Sequence, residues 1–193
     1  MRLHITGVAF AIGLSFSAVT QAGGISGSNL GNTCAGCHGV NGASAGTTMP
    51  VIGGLPKSYI ETAMKQYRDG SRSATVMGRI AKGYNDAQIA AMSEFFARQA
   101  WVSATQNVDA NLAKLGSTIH AGNCENCHEK NGTVIAEGDA PPRLAGQWTA
   151  YLQLYMDGVN DPAWLNKHPK KGTFGKTTKS DVDAVLQFYA SQK

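Results

Sequence analysis

Between Lys57 and Gly70 the apolar residues Tyr59, Ile60, Ala63, Met64 and Tyr67 recur at intervals of three and four. That spacing sets them on one face of an α-helix. Pro56, a residue type favoured in a first helical turn, marks its start, and Gly70 marks its stop. A second face, made by Ile89, Met92, Phe95 and Phe96, follows Asn85-Asp86, whose short polar side chains suit a helix cap. Leu112, Leu115 and Ile119 repeat the helical interval just ahead of Cys124. Val182, Val185, Leu186 and Tyr189 do so near the end of the chain, with Ser180 as the expected cap. No segment alternates with a convincing period of two, so the pattern predicts an all-α chain.

The pattern also repeats. Cys34 returns as Cys124, and "GNTCAGCHGVNG" at Gly31 to Gly42 is matched by "AGNCENCHEKNG" at Ala121 to Gly132. Pro50, Gly54 and Tyr59 correspond to Pro142, Gly146 and Tyr151, and "FFARQ" at Phe95 corresponds to "FYASQ" at Phe188. The halves are therefore two copies of one helical domain, expected at residues 23–100 and 110–193. Residues 101–109 have no strong period and read as a linker, with Trp101 packed between the domains. Domains of about 80 residues rarely stabilise themselves without a disulfide, a metal or a cofactor.

Residues 1–22 read as an export signal: Arg2 is its positive start, Ile5 to Val19 its apolar run and Thr20-Gln21-Ala22 its cleavage site. That run is too short to span a bilayer and no later stretch is long enough, so a periplasmic chain with no membrane span is expected. The formal charge is +4. Apart from Lys167, Lys170, Lys171, Lys176 and Lys179, the positive charges are scattered. Without interleaved aromatic residues that cluster reads as a solvated loop or a steering surface for a partner, not a nucleic-acid site.

All 4 cysteines lie in the two Cys-x-x-Cys-His motifs. Exported thiols end as disulfides unless something captures them. Zinc is a poor captor here, because the two cysteine pairs are far apart in sequence. A thioredoxin-like redox pair needs a βαβ setting that the pattern lacks. A covalently bound haem c meets every requirement. Cys34 and Cys37 can each add to a porphyrin vinyl group while His38 reaches the iron. Cys124, Cys127 and His128 can do the same for a second haem. The two haems also supply the bulky apolar body that each small core needs.

A sixth protein ligand turns a haem iron to electron transfer. Met64 and Met92 fall on apolar helix faces, and Met49 follows His38 too closely to cross the haem. Met77 sits between two helices, far enough along to fold over it, and is the expected distal ligand of the first iron. A thioether favours ferrous iron and raises the potential.

The doubled motif, the Pro-Gly-Tyr segment and the Met77 region resemble dihaem class I cytochromes c of the cytochrome c4 type. "VMGRIAKGYNDAQIAAMSEFFA" at Val76 to Ala97 resembles the cytochrome subunit of flavocytochrome c sulfide dehydrogenase. The resemblance implies two tandem class I cytochrome c domains related by a pseudo-twofold axis, with haems that exchange electrons. It also implies a flavoprotein partner, whose FAD oxidises sulfide, and a soluble electron acceptor such as a small cytochrome. A free-standing carrier to a terminal oxidase and a haem protein with an open second iron are the alternatives.

The second distal ligand departs from the first. Counted back from the shared Phe-aromatic-Ala ending, Lys170 holds the register of Met77, in the loop "LNKHPKKGTF" at Leu165 to Phe174. His168 in that loop is the expected ligand, since imidazole binds iron well. Lys170 would first have to lose its proton, and Met156 would need its helix to face the iron. His120, four residues before Cys124, reads as a helix-end residue.

Overall fold

A computed structural model describes residues 26–134, 141–159 and 178–193. The proposed signal at 1–22 and the loop carrying His168 and Lys170 lie outside the described residues. Among the described residues there is no strand, and none of the helices is long and apolar enough to cross a membrane.

The first half contains α1 (Gly27–Asn32), α2 (Ala35–His38), α3 (Lys57–Asp69), α4 (Met77–Ile80) and α5 (Asp86–Ala97). The second contains α6 (Ala110–Asn123), α7 (Glu129–Gly132), α8 (Thr149–Val159) and α9 (Lys179–Ser191). As the spacing predicts, Ile60, Ala63 and Met64 of α3 are buried, and Gly70 ends the helix at φ 79°. Pro56 sits one residue before the helix rather than within it. Asn85 caps α5 in a reciprocal arrangement with Gln88. The last helix is capped by Thr178 with Asp181, not by Ser180. Thr178 stands two residues earlier, where its hydroxyl reaches the Asp181 amide.

In each half the N-terminal and C-terminal helices cross at a glycine. A Cβ on Gly27 would lie 2.3 Å from the Ala91 carbonyl oxygen, and one on Gly116 would lie 2.1 Å from that of Ala184. The close crossing corrects one expectation. Leu112 and Leu115 do not face the core; they are 37% and 50% exposed. Ala113, Gly116 and His120 face it instead. They too have helical spacing, rotated by one residue, and their small side chains let α6 lie against α9 where leucines would hold it off.

Leu30, Leu55, Ile60, Met64, Ile89, Met92 and Phe96 form most of the first core, and Leu152, Val185, Leu186, Phe188 and Tyr189 form the second. Residues 101–109 are pinned rather than loose. The Ala104 N–H donates to the Gly146 carbonyl at 2.7 Å, and Gln106 accepts from the Thr149 N–H at 3.0 Å. Trp101 packs on the first core, and its indole N–H donates to Ser103 beside Gly146. It therefore sits between the halves, as expected. The halves also meet directly. The Gln147 side chain donates to the Val51 carbonyl at 3.0 Å and accepts from the Val51 N–H at 2.9 Å, both buried. The Trp148 indole donates to the Ser44 carbonyl at 2.9 Å, and the Tyr151 N–H donates to the Thr47 carbonyl at 3.1 Å.

Candidate functional site

The two Cys-x-x-Cys-His motifs share the same backbone hydrogen bonds, although His38 ends a helix and His128 is non-helical at φ −110° and ψ 63°. In the first, the N–H groups of Cys37 and His38 both donate to the Cys34 carbonyl, at 3.2 and 2.9 Å. In the second, those of Cys127 and His128 donate to the Cys124 carbonyl at 3.0 and 2.8 Å. A single helical turn thus holds two sulfurs and an imidazole together, twice. None of the four cysteines is joined to another in a disulfide. Burial pushes the Cys34 and Cys124 thiols above their ordinary pKa.

The Asn-Gly that follows each motif is needed by the backbone. Asn41 and Asn131 have φ of 57° and 62°, and Gly42 and Gly132 have φ of 79° and 76°. Asparagine and glycine enter this left-handed region at the lowest cost. The turn aims the Gly42 carbonyl at the N–H groups of Ile52 and Gly53, and the Gly132 carbonyl at those of Leu144 and Ala145. The Pro-containing segment is thereby folded back onto each motif. It brings Pro50 to His38, whose Nδ1 lies 2.9 Å from the Pro50 carbonyl oxygen. A carbonyl only accepts, so Nδ1 carries the proton and Nε2 keeps its lone pair. Burial lowers the His38 pKa, with the Pro50 hydrogen bond opposing it, and so favours the neutral ring. An oriented neutral imidazole with a free Nε2 is what an iron centre requires.

Met77 opens α4 rather than lying in a loop, and it packs half-buried against the first core. Met64 and Met92 are core residues. Met156 is half-buried on α8. Among the described residues no cluster of three or more His, Cys, Asp or Glu is built to hold a bare metal ion.

Sequence reasoning missed two features. Arg72 is enclosed by tyrosines: it donates to the Tyr59 hydroxyl at 3.1 Å and lies 5.6 and 5.1 Å from the ring centres of Tyr59 and Tyr67. Burial works against its charge, but Tyr59 and Tyr67 outweigh it and raise its pKa. No carboxylate among the described residues pairs with it. A haem brings two carboxylates, so an enclosed guanidinium of this kind fits the group. The second feature is His120, which is no ordinary helix-end residue: it is 1% exposed and hydrogen-bonded through both ring nitrogens.

Two helical units, each carrying a thiol pair and an adjacent imidazole on one turn, define a c-type cytochrome. The chain belongs to the cytochrome c family, whose description matches residues 26–99. Along nearly its whole length it is similar to cytochrome c4 of Pseudomonas aeruginosa, 25% identical over 199 residues that cover 97% of this chain and 93% of that one. Over 67 residues it is 48% identical to the cytochrome subunit of sulfide dehydrogenase of Chlorobaculum tepidum; that stretch is 35% of this chain and 60% of the subunit's length. The crystal structure of reduced cytochrome c4 from Pseudomonas stutzeri superposes with a TM-score of 0.73, covering 86% of this chain and 97% of that one at 22% identity. The fold is therefore two tandem class I cytochrome c domains, as expected from the repeat. The chain is a cytochrome c4-like electron-transfer protein, and its family carries covalently bound haem c.

Proposed function

We propose that this chain is the dihaem electron-transfer subunit of a sulfide-oxidising flavoprotein. Electrons from the partner's FAD would enter one half, cross to the other and leave to a small soluble acceptor. Residues 23–100 and 110–193 are the two haem-carrying units, residues 101–109 join them, and residues 1–22 direct export to the periplasm. One observation carries the two-haem reading: both Cys-x-x-Cys-His turns have the same hydrogen-bonded geometry. The flavoprotein partner is suggested by the 48% identity to a sulfide dehydrogenase cytochrome subunit.

A bound haem c supplies one-electron exchange at its iron; the chain does the rest. Cys34 and Cys37 fix the first group and Cys124 and Cys127 the second, as thioethers. His38, oriented by its Pro50 hydrogen bond, and His128 would supply imidazoles to the two irons. Met77 would hold the first iron and His168 the second. A thioether on one iron and an imidazole on the other would set the first potential above the second. The full-length likeness to cytochrome c4 favours a second reading, a free-standing carrier with the same two haems.

Isolation of the native protein tests the proposal. The expected result is an intact mass carrying two haem additions and a co-purifying flavoprotein that makes haem reduction depend on sulfide. Two haems in a lone chain that no sulfide-oxidising flavoprotein reduces would support the carrier. A single addition would exclude both readings.

Met77→Ala is expected to abolish the weak long-wavelength band of ferric His/Met haem and lower one of the two potentials, leaving the other in place. A spectrum and potentials unchanged from the wild type would transfer the role to another residue.

A further inference from the structure

The second motif has a polar backing where the first has an apolar one. His120 lies against the rings of Phe188 and Tyr189, with centroids 5.1 and 5.4 Å away. Its Nδ1 is 2.9 Å from the Tyr189 hydroxyl, and its Nε2 meets the Glu125 carboxylate. Glu125 also accepts the N–H groups of Lys130 at 2.8 Å and Asn131 at 3.4 Å. Tyr189 packs in the second core, and Cys124 packs against that core. In the first half the repeat places Leu30, Ala35 and Phe96 at the positions of His120, Glu125 and Tyr189. Leu30 and Phe96 simply pack in the first core.

A carboxylate only accepts, so Nε2–H donates to Glu125. Nδ1 and the Tyr189 hydroxyl face each other at 2.9 Å and hold the ring in place. Glu125 thus accepts three N–H groups, from His120, Lys130 and Asn131. The His120 hydrogen bond, with those from Lys130 and Asn131, holds the Glu125 carboxyl below its usual range.

Glu125 also clamps strained backbone. Lys130 and Asn131, two and three residues beyond His128, have φ of 51° and 62°. Left-handed non-glycine residues are strained and persist only where surroundings enforce them. The first loop avoids the extra strain by placing Gly39 at φ 72°.

We propose that Glu125, fixed by His120 and Tyr189, is a positioning residue of the second haem, clamping the backbone after His128 and lowering that haem's potential with its charge. The proposal rests on the two-haem reading. A fixed anion near an iron favours the ferric state, which carries one more positive charge. The first motif, with Ala35, has no such anion at that place.

The test is a redox titration of the holoprotein with Glu125→Gln and Glu125→Asp. Haem content is read by intact mass, and the first haem is assigned by its response to Met77→Ala. In E125Q the second potential is expected to rise while the first stays put; E125D, which keeps the charge, should stay near the wild-type value. No shift in E125Q, or an equal shift in E125D, would overturn the proposal. Loss of one haem in E125Q alone supports the clamp. Loss in both variants reduces Glu125 to a folding role and overturns the tuning role. A wild-type protein with a single haem addition would remove the two-haem reading and this proposal with it.

Discussion

Gly116→Val is expected to destabilise the second half by about 3 kcal/mol or more, at the upper end of the cost of overpacking a core. The reason is geometric. Any Cβ at Gly116 would lie 2.1 Å from the Ala184 oxygen, 2.5 Å from its carbonyl carbon and 2.8 Å from the Phe188 Cβ. Two of these atoms are backbone of α9, so no rotamer change relieves the clash and the helices must separate. Separation would also draw His120 away from Tyr189 and expose the second core. Gly122, on the same helix, is the control. A Cβ there meets nothing within 4 Å, so Gly122→Ala should stabilise, by up to about 1 kcal/mol from helix propensity. Denaturant unfolding of the two variants reads both signs. Equal behaviour would mean that α6 and α9 can part at little cost.

Gln147→Leu is expected to cost about 3 kcal/mol and to uncouple the halves. The Gln147 side chain satisfies both backbone groups of Val51, a residue 0% exposed, and also accepts the Trp148 N–H at 3.2 Å. Leucine is similar in size but leaves these groups without that partner, at about 1–3 kcal/mol for each buried group left unsatisfied. Because the bracket joins residues from different halves, the loss falls on their cooperation. The wild type should unfold in one transition, and the variant in two, followed by haem absorbance and by far-ultraviolet circular dichroism. A single unshifted transition would mean that the other inter-half contacts suffice.

Much of this molecule was legible in its apolar spacing. The faces of α3 and α5 fall where Ile60, Met64, Ile89 and Phe96 predict them, because long apolar side chains at helical intervals have one way to be buried. The doubled motif was equally plain, since the four thiols and the Asn-Gly turns keep one register in both copies. What stayed hidden depends on partners distant in sequence. The core face of α6 belongs to Ala113, Gly116 and His120 because α9 comes too close for Leu112 and Leu115, and periodicity within one helix does not report how near the next helix lies. The roles of Gln147, Arg72 and Glu125 likewise come from groups brought together only by folding. Thr178 outcompeted Ser180 as a cap because capping needs a residue outside the first turn, and the apolar pattern alone leaves that boundary uncertain by a residue or two.

The bracket between Gln147 and Val51 also bears on timing. With the halves locked by buried hydrogen bonds, passage of an electron from one haem to the other, on the proposed two-haem reading, would be a unimolecular event at fixed separation. It needs no encounter, so dilution and added salt should leave its rate alone. Exchange with a separate donor or acceptor is different, because each arrival is a diffusive collision screened by ions. Throughput would then be controlled at the two ends of the chain of carriers, with the internal step as a fixed wire between them.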